Sequence, residues 1–246
     1  MKIFIRTAAL ALALVTLLAS CKSVGGVGDP NGKETEAAIT VESDVRTNSK
    51  GVPIPNVLKD DETEFGPEPA AETPLTEKSK VLSYHNSHSL ISYVNGSGKC
   101  RNFDPWGDGK LVESLFDGKD GYFNTNDQTK LGGNVSNGEL IVEFKTEKAT
   151  LVGYALVTGN DSKDYGERNP NEWTLSGSND GRNWTVIDYV YDGKITASDH
   201  QYFGYEIDPD ARAEYSYYQF KFTLNIYNSP ITSLQINEMY LYKDKA

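Results

Sequence analysis

Beyond Val81 the chain repeatedly alternates apolar and polar side chains with a period of two, and that pattern restricts it to strands. Leu140, Val142 and Phe144 alternate with Ile141, Glu143 and Lys145, and Trp173, Leu175 and Gly177 alternate with Thr174, Ser176 and Ser178. Leu151 to Val157 is a near-continuous apolar run, and 184–191, 202–207, 215–224 and 234–242 are rich in aromatic and branched residues. Such residues suit a pleated, half-buried surface. Clusters of Gly, Asn, Asp and Pro separate these segments, and no amphipathic helical repeat of useful length interrupts them. Asn179-Asp180-Gly181, between two Trp-bearing segments, is a hairpin signal. All fifteen Tyr and all three Trp lie beyond residue 81, so the core must be built there. The expected fold is all-β, an antiparallel sandwich over residues 81–246.

The start of the chain reads differently. Lys2 and Arg6 precede an apolar run from Ala8 to Leu18 that only Thr16 interrupts. A helix of that length falls well short of a bilayer core of roughly 30 Å, and it has the size of a signal-peptide core. Leu18-Ala19-Ser20-Cys21 follows and resembles the bacterial lipobox. The resemblance implies that residues 1–20 are removed, that Cys21 carries the lipid, and that the protein sits at the bacterial cell envelope, on the outer membrane or cell surface. From Lys22 to Lys80 the chain holds six of its ten prolines, many acids and a single aromatic, Phe65. Such a composition buries too little apolar surface to offset ordering entropy. Residues 21–80 are therefore expected to be a flexible tether, disordered and extended by its prolines and like charges.

With Cys21 acylated, Cys100 has no partner for a disulfide within the chain. It is either a small buried apolar group or an exposed thiol. A net charge of −11 argues against nucleic acid, which is held by a basic face, and against anionic headgroups. Membrane contact is expected through the lipid alone.

Within the strand-rich region the residues resemble a known family. Glu113-Ser114-Leu115-Phe116-Asp117-Gly118-Lys119, then Asn169 to Gly181 with Asn183-Trp184, then Tyr217 to Phe222 and Leu234 to Tyr242 are similar in order and content to the discoidin domains, also called coagulation factor V/VIII type C domains. The resemblance implies a galactose-binding-like jelly roll that binds without catalysis, through loops at one end, to glycans, phospholipid headgroups or proteins. It also implies a structural cation, usually calcium. Carried over residue by residue, Asp117 and Glu238 would supply carboxylates and Thr129 a hydroxyl or carbonyl, with Asp120 a weaker fourth ligand. One departure stands out: the inserted stretch Asp120 to Gln128 separates Asp117-Gly118 from Thr129-Lys130.

For Asp117 and Glu238 the residues themselves leave two readings open, a cation site or an Asp-Gly turn beside a solvated strand residue. Rings at turn-rich places, Tyr122, Phe123, Tyr202, Phe203 and Tyr227, offer apolar faces to sugars, and Asn124, Asn126 and Asp127 lie beside the first two. The same rings would equally make a small core under the loop. Arg168 suits a sugar or carboxylate but also a structural role, and His200 is a loop residue with either fate. His85 and His88 have a spacing seen in zinc sites but no second ligand pair. Asp161 to Glu172 imitates a calcium loop at its sixth and twelfth positions, yet Lys163 and Tyr165 are poor ligands. HExxH, GxSxG and SxxK are absent from the sequence. The expected function is carbohydrate recognition, with an adhesin for a protein partner as the alternative.

Overall fold

The computed structural model describes residues 72–107, 110–125 and 130–246. The leader, Cys21, the tether as far as residue 71, Asn126 and Thr129 lie outside the described residues. Twelve strands are present among those described: β1 (His88–Leu90), β2 (Lys99–Arg101), β3 (Phe103–Pro105), β4 (Leu131–Val135), β5 (Leu140–Thr150), β6 (Gly153–Val157), β7 (Pro170–Ser178), β8 (Thr185–Val190), β9 (Tyr202–Glu206), β10 (Glu214–Asn225), β11 (Ser233–Ile236) and β12 (Glu238–Asp244). They pair antiparallel as a five-stranded sheet β2-β5-β10-β7-β8, a four-stranded sheet β1-β12-β6-β9 and a smaller β11-β4-β3. This is the expected antiparallel jelly-roll sandwich. Asn179-Asp180-Gly181 joins β7 to β8, with Asp180 accepting from the backbone N–H of Arg182 and Asn183 at 2.8 Å.

Alternation decides the layers. Val142 and Phe144 of β5, Tyr218, Phe220 and Phe222 of β10, and Trp173 and Leu175 of β7 face Tyr154 and Leu156 of β6, Phe203 and Tyr205 of β9, and Met239 and Leu241 of β12 in one apolar core. Trp173 is wholly buried, and its Nε1 donates to Tyr154 Oη at 2.8 Å, which in turn donates to Asp188 at 2.7 Å. Trp184 is half-buried and precedes β8. Cys100 is half-buried against the same core, and burial, reinforced by Glu113, pushes its thiol up to about 12.

The second face of the four-stranded sheet is buried as well. Ala155, Val157, Tyr202, Tyr240 and Tyr242 point there and join Val81, Val152, Leu75, Tyr84 and Tyr122 in a second cluster. The cover comes from a helix, α1 (Lys78–Ser87), and from the strand-like segment before it, in which Leu75 pairs with Gly204. This corrects two expectations. The folded chain begins at or before residue 72, where the Glu72 N–H donates to Asp192 O at 3.1 Å, so residues 72–80 belong to the domain rather than to the tether. A helix also exists where no useful apolar repeat was visible, because only Val81 of it is fully buried. It is held by docking, since ten residues are too few for helical stability of their own.

Candidate functional site

Turns following β6, preceding β9 and following β10 meet at one end of the sandwich together with residues 106–107 and 110–125. Asn237 Nδ2 donates to Lys119 O at 3.2 Å, the Lys163 N–H donates to Asp199 at 2.9 Å, and Thr158 Oγ1 accepts from the Gln201 N–H at 2.9 Å. Two groups of chemistry-bearing side chains stand there.

The first group lies under the turn after Asp117. Asp120 is wholly buried; its Oδ1 accepts from the N–H groups of Tyr122 (3.0 Å) and Asn124 (2.8 Å), and its Oδ2 accepts from Tyr240 Oη. Glu238 opens β12 at 2% exposure and accepts from the N–H groups of Gly118 and Lys119. Burial, with the charges of Asp117 and Asp120 adding to it and the Gly118 N–H opposing it, pushes the Glu238 carboxyl up to about 9. Its Oε2 and the neighbouring Asn237 Oδ1 are buried oxygens without a hydrogen-bond partner. Unsatisfied buried acceptors are costly, and a hard cation satisfies them. Among the described residues no three His, Cys, Asp or Glu side chains are grouped to hold a metal. The oxygens a cation would satisfy are therefore Glu238 Oε2 and the side-chain oxygen of Asn237, while Asp117 accepts from the Lys119 N–H at 3.0 Å.

The rings expected to meet a ligand beside this turn are packed instead. Tyr202 is wholly buried, with its hydroxyl donating to Tyr242 Oη at 3.1 Å, and Phe203 lies in the main core. Tyr122 stands 5.6 Å from Tyr202, and Phe123 stands 5.5 Å from Tyr240 and 4.3 Å from His85, measured between ring centroids. Without them the outer face of β6, β9 and β12 would be wet, and so the small-core reading holds for Tyr122 and Tyr202. Phe123 keeps an exposed edge. His200 rests on Gly121, where a Cβ would come within 2.2 Å of the imidazole, so this residue too is a packing element of the turn. His85 Nδ1 meets Tyr242 Oη at 3.0 Å and His88 Nδ1 meets Tyr84 O at 2.9 Å, which places neither in a zinc site.

The second group is built on Arg168, in the single-turn helix Gly166–Arg168. Its guanidinium carbon lies 3.7 Å from the centroid of the Tyr165 ring and 4.5 Å from that of Trp106. Its Nη1 donates to Asp161 Oδ2 at 3.1 Å. Lys130 donates to Asp161 Oδ1, Asn160 Oδ1 and Gln235 Oε1 at 2.9, 2.7 and 3.1 Å, which uses all three of its N–H bonds. Burial works to raise the Asp161 carboxyl, but hydrogen bonds from Lys130 and Gln235 and the charges of Lys130 and Arg168 outweigh it and hold the group below the usual range. Trp106 Nε1 donates to Asn134 Oδ1 at 3.0 Å, and the indole sits where a Cβ on Gly132 would come within 3.0 Å. Against this braced guanidinium Trp106 is 38% and Tyr165 43% exposed, and Tyr227, whose hydroxyl lies beside Gly166, is 62% exposed.

Arg168 and Tyr227 were legible as candidates; Trp106, Tyr165 and Lys130 were not. The signals available were a Trp between Pro105 and Gly107, outside any alternating segment, and an aromatic three residues before Arg168. A groove of about 670 Å³ lies elsewhere, between residues 72–77, α1 and β9, with Lys80, Tyr84 and Glu206 on its walls.

No protein-family model matches the chain, and no curated protein matches it. Solved structures with a similar course of the chain include a pectin binding carbohydrate binding module, at 15% identity and TM-score 0.46 over 63% of this chain and 94% of that one. A CBM32 module of Clostridium perfringens in complex with GalNAc-β-1,3-galactose matches at 11% identity and TM-score 0.45 over 59% and 94%. The CBM32-1 and CBM32-2 domains of Clostridium perfringens ZmpB match at 16% identity and TM-score 0.49 over 74% and 43%. These solved structures are carbohydrate-binding modules, similar to this chain in course at low identity.

Proposed function

We propose that the protein is a non-catalytic carbohydrate-binding domain carried at the bacterial cell surface by a lipid on Cys21 and a flexible tether. The observation that carries the reading is the Trp106–Arg168–Tyr165 stack at the loop end. Sugars present flat C–H faces ringed by hydroxyls, and a site for them needs exposed rings beside fixed hydrogen-bonding groups. Trp106, Tyr165 and Tyr227 supply the rings, and Arg168 supplies donors. Asp161, Lys130 and Gln235 hold that arrangement before any ligand arrives, so little side-chain entropy is lost on binding.

Calcium belongs to the same proposal. Asp117, Glu238 and Asn237 would hold it, with Thr129 as a further ligand. Bound there, it supplies charge to the turn and nothing to any reaction. Its effect would be to lock the turn on which Tyr122 and Phe123 pack. Asp120 is better described as the brace of that turn, since both its oxygens already accept hydrogen bonds.

A glycan-array screen of the full chain in detergent, with calcium and with chelator, tests the reading. Binding to glycans that weakens on chelation is expected. Binding only to protein partners, indifferent to chelator, would replace it with the adhesin alternative.

A further inference from the structure

Two cations of the Arg168 group lean on one carboxylate. Lys130 is deeply placed, its side chain 11% exposed, and the Arg168 side chain is 21% exposed; both lean on the single carboxylate of Asp161. Lys110 adds a third cation. Its carbonyl accepts from the Gly132 N–H, and its ammonium is drawn below the usual lysine range by burial and next by Lys130, against the pull of Asp161. On the neighbouring turn, Asp199 is taken by Lys163 at 3.4 Å. Lys130 and Arg168 thus share one carboxylate at a half-buried spot, with Lys110 close enough to feel the charge of Lys130, on a turn that also carries Asp164 and Glu167.

Gathering like charges away from water is costly unless an opposite charge completes the set. A ligand can bring it. A guanidinium has five N–H donors in a planar fork that matches a carboxylate with two parallel hydrogen bonds, and the described hydrogen bonds of Arg168 use one of the five. Tyr165 and Trp106 lie against the guanidinium plane and limit its rotation while keeping exposed surface for the ring of a sugar. We propose that this end of the domain selects sugars bearing a carboxylate, the uronic acids, over their neutral counterparts. The inference rests on the reading of the loop end as a glycan site and adds the charge of its ligand.

The test is titration calorimetry on the full chain in detergent with a panel of uronic acid oligomers, each beside its methyl ester, its neutral parent and a sulfated form. The free acid is expected to bind about tenfold more tightly than its ester, the scale of one charge-assisted hydrogen bond. The gap should narrow between 50 and 200 mM salt. Arg168→Gln should erase the preference. Lys110→Gln, at a side chain with no described hydrogen bond to Asp161, should reduce it severalfold even if the first variant folds poorly. Equal or tighter binding of esters or neutral sugars would overturn the acid selectivity and leave the glycan site standing. A preference for sulfated over carboxylated sugars would overturn the carboxylate. Failure of every sugar to bind would overturn both readings together.

Discussion

Individual polar groups in this domain carry consequences out of proportion to their number, because most are buried. The Trp173–Tyr154–Asp188 relay is the example furthest from the loop end: an indole N–H at 0% exposure is answered by one hydroxyl. Tyr154→Phe keeps the ring packing and leaves that N–H without its acceptor, a loss of about 1–3 kcal/mol in a denaturation midpoint measurement. Lys130 works by the same logic at the other end, tying β4, the turn after β6 and β11 through three acceptors. Residue by residue, the sequence was a fair guide where a motif stood and a poor one where the rings stood alone. Glu238 sits in a recognisable block and Arg168 just before one, and they are found at a buried oxygen cluster and a charged stack. An exposed ring and a ring folded into a second core look alike in sequence, which is why Tyr122 and Tyr202 were open to a ligand role that burial removes. Trp106 has no periodic neighbours and acquires meaning only when Gly132, Asn134 and Arg168 arrive from distant parts of the chain.

At the scale of elements, strands were legible and their cover was not. Leu151 to Val157 reads as buried on both faces, as it is. Nothing in that run says that α1 and residues 72–77 supply the second layer, and α1 itself fully buries only Val81. The helix is joined to the turn after Asp117 by His85, which stacks on Phe123 and meets Tyr242 Oη. Burial lowers the affinity of the His85 imidazole for its proton, against the opposing charge of Asp120. A histidine held below its unfolded value of about 6.5 contributes stability above that pH and loses it as pH falls through the folded value. Stability measured from pH 7.5 to 5 should therefore fall more in the native protein than in His85→Phe, which keeps the stack. Parallel curves would show that the imidazole keeps its ordinary affinity when folded.

For the whole molecule, the sandwich is a rigid frame and the loop end is where its residual electrostatic tension lies. Glu238, deprotonated only with difficulty in its buried place, is the point at which a cation would act on global stability. A ligand bound only by the folded state, present at 100 times its dissociation constant, adds about 2.7 kcal/mol. For a domain of this size that is roughly a 5–10 °C rise in Tm. Calcium should give such a rise in scanning calorimetry, and chelation should remove it. Glu238→Gln should abolish the rise while leaving the chelated protein little changed, because an amide resembles the protonated acid. A full calcium response in that variant would move the cation elsewhere.

The central claim is that ligands meet this domain at the Trp106–Arg168–Tyr165 stack. It is tested most directly by measuring the affinity of an array-identified glycan for Trp106→Ala beside Tyr217→Ala, whose ring lies over Lys145 on the five-stranded sheet. Loss of one stacking ring should weaken binding about tenfold or more in the Trp106 variant, the scale of 1–3 kcal/mol per stacked ring, and leave the Tyr217 variant at native affinity. Native affinity in a folded Trp106→Ala protein would contradict the account.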